Sequence, residues 1–117
     1  MLEGRCIVVT GAAAGLGAAF AEGVAAAGAQ HVLLADRDRE AGQLRVIELL
    51  EAGYSASFAE VDLAQPEAID AFAAQLPEHM PSVDGLINNA AVATGIGGNT
   101  YDEIDLGTWD RVMTVNV

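Results

Sequence analysis

The sequence predicts an α/β fold built on a doubly wound parallel sheet, and three observations carry that prediction. Apolar runs of strand length alternate with segments of helical apolar spacing throughout the 117 residues. Short stretches rich in Gly, Pro and Asp punctuate the alternation. A glycine-rich turn, Thr10-Gly11-Ala12-Ala13-Ala14-Gly15-Leu16-Gly17, joins the first strand to the first helix. Right-handed crossovers then place four strands in the order 3-2-1-4, a Rossmann-like arrangement. Its crevice lies beside the glycine turn, at the point where the strand order reverses.

Each element has its own signal. Cys6-Ile7-Val8-Val9 is the first strand, and Leu16, Phe20, Val24 and Ala27 recur at helical spacing until Gly28 stops the helix. His31-Val32-Leu33-Leu34-Ala35-Asp36 reads as a buried parallel strand with His31 at the surface. A helix over 39–52 places Leu44, Ile47 and the Leu50/Glu51 pair in an amphipathic pattern, and Gly53 ends it. Ser57 to Val61 forms the third strand and runs into Asp62-Leu63. Pro66 suits the first turn of a helix lined by Ile69, Phe72, Ala73 and Leu76. Pro77 and Pro81 bracket a short connection that carries His79, and Val83 to Asn88 is the fourth strand. The segment from Val92 to Leu106, with Gly95, Gly97 and Gly98, reads as a mobile loop at the mouth of the crevice. A last helix starts near Asp105 to Thr108 and presents Trp109, Val112 and Met113 as core or interface residues.

Composition narrows the function classes. The chain is 52% hydrophobic, enough for one packed domain spanning 1–117. Seventeen acidic residues face five arginines and no lysine, for a formal charge of −12. Such a chain repels nucleic-acid backbones and anionic lipid surfaces, so neither is an expected partner. No apolar run approaches a membrane span, and the N-terminus lacks the layout of a signal peptide. A cytoplasmic location is the expectation. The lone Cys6 reads as a small core residue, and the two histidines have no companions at ligand spacing, so no metal site is expected.

The glycine turn is where chemistry is expected. A strand, a sharp turn and a helix N-terminus together bring backbone N–H groups and a partial positive charge to one spot, which suits a phosphate. Gly11 permits the turn, Gly15 the close approach of a pyrophosphate, and Gly17 tight packing of helix on sheet. Ala13, Ala14 and Leu16 complete the cofactor-facing stretch. Asp36 lies nineteen residues beyond Gly17, at a strand's end, where a carboxylate accepts hydrogen bonds from the adenosine ribose hydroxyls and repels a 2′-phosphate. The competing role, capping the next helix, suits Asp38 better. Arg37 next to it is a possible phosphate contact.

The spacing Gly-x-x-x-Gly-x-Gly preceded by Thr, so near the N-terminus, resembles the short-chain dehydrogenase/reductase family, as does Asn88-Asn89-Ala90-Ala91. In that family the second motif ends Asn-Asn-Ala-Gly, so Ala91 is a departure of one methyl group. The resemblance covers essentially the whole chain. It implies a nicotinamide cofactor, with Asn88 and Ala90 beside its ribose and Asp62-Leu63 meeting the adenine. Asp62 also reads as a cap for the following helix, and both roles are compatible. Ala14 stands where many NADP-dependent relatives carry a basic residue, so NAD is the expected cofactor. Asn116 matches the asparagine that the family places in its active site. The family's remaining catalytic groups, a serine and a Tyr-x-x-x-Lys pair, are not found: Tyr54 is followed four residues on by Phe58 and Tyr101 by Asp105.

Two function readings follow. The chain is the N-terminal part of an NAD-dependent oxidoreductase that interconverts an alcohol and a carbonyl on a small molecule, cut before the family's fifth strand and inactive alone. Alternatively it is a stand-alone, non-catalytic adenine-nucleotide binding module. An open edge on the fourth strand and the apolar face of the last helix predict a homo-oligomer.

Overall fold

The computed structural model describes residues 1–92 and 100–117. The glycines Gly95, Gly97 and Gly98, and with them the loop expected there, lie outside the described residues. Among the described residues four strands and four helices alternate: β1 (Cys6–Thr10), α1 (Gly15–Ala26), β2 (His31–Asp36), α2 (Arg39–Glu51), β3 (Ala56–Glu60), α3 (Pro66–His79), β4 (Gly85–Ile87) and α4 (Leu106–Asn116). A single 3-10 turn, Tyr101–Glu103, precedes α4. All strands are parallel, in the expected order β3-β2-β1-β4. Register aligns Thr10 with Ala35 and Ala35 with Ala59, so the three strand ends finish level at one edge of the sheet.

The two central strands are buried on both faces, which explains their unbroken apolar runs. On one face Ile7, Val9, Val32 and Leu34 pack against Ala21 and Ala25 of α1 and Leu49 of α2. On the other, Cys6, Val8 and Leu33 pack against Met80, with Phe72 and Leu76 of α3 alongside.

The helices settle differently from their apolar spacing. In α1 the buried residues are Gly17, Ala21 and Ala25, whereas Leu16 is 69% exposed and Phe20 is exposed too. A helix leaving a tight turn lies close to the sheet, and only small side chains fit the gap. In α2 the stripe of Leu44, Ile47 and Leu50 faces outward, while Gly42 and Leu49 are buried and Val46 packs partly. Both helices end as expected. Gly28 N–H reaches Ala25 O at 3.0 Å and Ala29 N–H reaches Val24 O at 3.2 Å, and Gly53 and Tyr54 repeat this pairing after α2. Asp38 caps α2 by accepting from Ala41 N, and Asp105 caps α4 by accepting from Thr108 N.

Pro77 does not end α3, which runs on to His79. Proline sacrifices one helical donor there. Leu76 and Met80 pack beneath it against the sheet, and Met80 N–H bonds Leu76 O at 3.1 Å, which holds the last turn. The histidines read as a surface and a loop residue are instead tied together through one serine. His31 is half-buried and bonds Ser55 Oγ (2.7 Å) and Ser57 Oγ (2.8 Å), and Ser57 Oγ bonds His79 Nδ1 (3.1 Å). Burial, and secondarily the charge of His79, lower the His31 pKa from its ordinary value.

Candidate functional site

The level strand ends place Gly11, Asp36, Asp62 and Ala90 around one cleft. Arg37, Leu63, Val92, Arg111 and Val115 complete its walls, and it encloses about 500 Å³ including its open mouth.

A polar staple fixes the floor. Thr10, only 6% exposed, accepts at its Oγ1 from Asn89 N (3.0 Å) and Ala90 N (3.1 Å). Its hydroxyl faces Ile87 O at 3.4 Å. Asn89 Nδ2 returns to the glycine turn, donating to Thr10 O (3.1 Å) and Gly11 O (3.3 Å). The end of β4 and the glycine turn are thereby locked side by side. Two glycines make the approach possible: a Cβ on Gly11 would stand 2.8 Å from Ala90 Cα, and one on Gly17 would stand 2.0 Å from Gly11 O.

Asp36 bridges two backbones. Its Oδ2 accepts from Ala13 N at 3.0 Å and its Oδ1 from Asp38 N at 2.9 Å. Arg45 Nε meets Ala13 O at 3.3 Å, so the Ala13 residue is held at both polar groups. Each Asp36 oxygen keeps a second lone pair for a ligand hydroxyl. Asp62 does not cap α3, whose N-cap is Gln65. Its Oδ1 accepts from Ala64 N at 2.9 Å and shapes the turn before the helix. Asn116 clasps the Val92 backbone, accepting from its N–H at 2.7 Å and donating to its carbonyl at 3.3 Å.

Of the residues expected in the site, Gly11, Asp36, Arg37, Asp62, Leu63 and Ala90 share the cleft. Ala13 and Gly17 are buried in the turn, while Ala14, Gly15 and Leu16 stand exposed at its rim. Asn88 is exposed and does not line the cleft. Sequence reasoning missed the working roles of Thr10 and Asn89, although a Thr directly before the turn and the second Asn of a pair were available signals. It also missed Arg111 and Val115. They are one helical turn apart, but only the fold brings α4 to the cleft.

The rim suits a dinucleotide pyrophosphate. Ala14 is the N-cap of α1 and provides no side-chain cap, leaving the helix N-terminus available to an anion. Gly15 has φ +57°, and nothing lies within 4 Å of where its Cβ would be. Charge is arranged to match. Arg5, Arg39 and Arg45 pair with Asp84, Glu60 and Glu48. Among the described residues, Arg37 and Arg111 have no carboxylate in ion-pair range, and both line this cleft. No cluster of metal-binding side chains occurs among the described residues, and no described helix is long and apolar enough to cross a membrane.

Comparison with known proteins agrees with the fold and the motifs. The short chain dehydrogenase family model matches residues 5–117, and the chain belongs to that family of oxidoreductases. It is 38% identical over 117 residues to an uncharacterized oxidoreductase of Thermotoga maritima, covering all of this chain and 44% of that one. Over 119 residues it is 38% identical to galactitol 2-dehydrogenase (L-tagatose-forming) of Cereibacter sphaeroides, covering 99% of this chain and 43% of the relative. A metagenomic short-chain oxidoreductase in complex with NADP superposes with a TM-score of 0.90 at 36% identity, covering 99% of this chain and 51% of that one. A short chain dehydrogenase/reductase from Burkholderia phymatum in complex with NAD gives 0.89 at 34%, covering 99% and 40%. The chain thus spans less than half the length of the curated relatives it matches.

Proposed function

We propose that these residues form a single domain holding the adenosine and pyrophosphate of NAD within a cytoplasmic, homo-oligomeric oxidoreductase that interconverts an alcohol and a carbonyl on a small molecule. The observation that carries the reading is the convergence of a glycine turn, an uncapped helix N-terminus and the Asp36 carboxylate on one cleft. Gly11, Ala13, Ala14, Gly15, Leu16 and Gly17 cradle the pyrophosphate. Asp36 takes the ribose hydroxyls with its spare lone pairs, and Arg37 stands beside it. Asp62 and Leu63 meet the adenine, while Asn88 and Ala90 lie towards the second ribose. Bound NAD supplies a hydride acceptor or, when reduced, a donor. Asn116 is the chain's one active-site group. Without lysine or a Tyr-x-x-x-Lys pair, the 117-residue chain does not complete the proton transfer.

Calorimetric titration with NAD tests the assignment. Saturable binding is expected, weakened about tenfold or more in Asp36→Ala, with NADP weaker than NAD and no NADH formed from added alcohols. Tighter NADP binding would sink the NAD preference, turnover by the pure chain would sink the account of the missing groups, and no binding at all would sink the nucleotide reading.

A further inference from the structure

Arg45 belongs to no motif and does not line the cleft, yet its Nε donates to Ala13 O at 3.3 Å from the side of α2. It stands in a separate recess between α1 and α2, beside Ala18, Glu22, Leu49 and Tyr54. Glu48, one turn further along α2, accepts from its Nη1 at 2.7 Å and holds the guanidinium in place. The residue that Arg45 touches is held on its other side as well. Ala13 is buried, and its N–H donates to Asp36 Oδ2 at 3.0 Å. The consequence falls on the next amide. A trans peptide unit is planar, and no cis bond occurs among the described residues, so the Ala14 N–H points opposite to the Ala13 carbonyl. It therefore points away from Arg45. Ala14 is exposed, its N–H has no acceptor among the described residues, and Gly15 beside it leaves open space. A charged donor on the carbonyl of a peptide unit also polarises the N–H at its other end.

Resting on the nucleotide reading above, we propose that Arg45 is a positioning residue: it fixes and polarises the Ala13–Ala14 peptide so that the Ala14 N–H is presented to the pyrophosphate. The guanidinium itself touches no ligand, because it lies outside the cleft. Its charge is already met by Glu48, so it contributes direction rather than a long-range attraction. The effect is selective. Phosphates use the Ala14 N–H, whereas ribose hydroxyls use Asp36, whose Oδ1 keeps its bond to Asp38 N when Arg45 is lost.

The test titrates the whole chain with NAD, ADP and adenosine, wild type against Arg45→Met and Arg45→Lys. Methionine keeps the apolar stem and removes every donor, and lysine restores a donor at the tip. Titrations run well below each melting temperature, so that lost stability does not pass for lost affinity. NAD and ADP should bind Arg45→Met about fivefold or more weaker, the scale of one net hydrogen bond, with adenosine unchanged. Arg45→Lys should recover part of the loss. Should Arg45→Met fail to fold, Glu48→Ala frees the guanidinium and should reproduce the pattern in smaller measure. Unchanged NAD and ADP binding by a folded variant with a lowered Tm would reduce Arg45 to a tie between α2 and the turn and overturn the proposal. So would an equal loss of adenosine, which would route the effect through Asp36. Failure of the wild type to bind NAD would instead bring down the nucleotide reading on which the proposal rests.

Discussion

Replacing Thr10 by valine keeps the side-chain volume and deletes only the hydroxyl on which the glycine turn and the end of β4 meet. Two backbone N–H groups, those of Asn89 and Ala90, lose their acceptor in a part-buried site. Each orphaned donor costs about 1–3 kcal/mol, so Thr10→Val should lower the unfolding free energy by roughly 2–6 kcal/mol in urea, with Thr10→Ser nearly neutral. The neighbouring glycines separate stability from binding. Gly17→Ala drives a methyl against the Gly11 carbonyl and should cost about 1–3 kcal/mol. Gly15→Ala meets open space and costs only the left-handed backbone penalty, about 1 kcal/mol. If Gly15 belongs to the proposed phosphate cradle, its added methyl crowds the anion, so NAD affinity should fall more than stability. Melting and titration of both variants check this, and the opposite ranking would remove Gly15 from the phosphate cradle. The residue types at this turn were legible because glycine spacing reports backbone geometry directly. The staple was not, since Thr10 and Asn89 lie 79 residues apart and only the sheet brings them together.

At the scale of elements, strands read more truly than helices. Unbroken apolar runs leave one interpretation for β1 and β2, and their order followed from crossover handedness. Helix faces misled because apolar size and burial parted company: α1 turns its alanines inward and Leu16 outward, and α2 exposes Leu44, Ile47 and Leu50. Close packing on the sheet rewards small side chains, and no periodicity count weighs that. The same limit hid the tie between α3 and the sheet, because His31, Ser57 and His79 come from three elements. This tie makes stability pH-dependent. The folded state holds His31 below its ordinary pKa of 6.5, so the unfolded chain takes up a proton first as the pH falls. The stabilisation is whole above that value and is lost as pH drops from it through the lowered folded-state value. Between pH 7.5 and 5.5 the wild-type Tm should therefore fall by a few degrees more than that of His31→Gln (about 4–8 °C per kcal/mol for a domain near this size). Equal slopes would show that the imidazole carries none of the dependence.

For the whole molecule, net charge and exposed apolar surface act in opposite directions on self-association. The formal charge of −12 makes like copies repel. Against this, β4 stands at the edge of the sheet with Leu86 54% exposed, and Trp109 of α4 is 52% exposed with Met113, also exposed, one turn further along the same helix. An edge strand with unpaired backbone groups and an apolar helix face are both surfaces that a second copy can cover. If association buries them, salt decides how much of it is seen. Raising ionic strength from about 0.01 M to about 1 M shortens the screening length from about 30 Å to about 3 Å and removes most of the repulsion between copies. The expected outcome in light scattering is therefore a dimer or larger species whose share grows with salt. Trp109→Glu should return the chain to monomer at every salt concentration, because it adds charge where apolar area is lost. Association that weakens with salt would instead point to a contact made by ion pairs, and a monomer throughout would leave the β4 edge and the α4 face uncovered by a second copy of this chain.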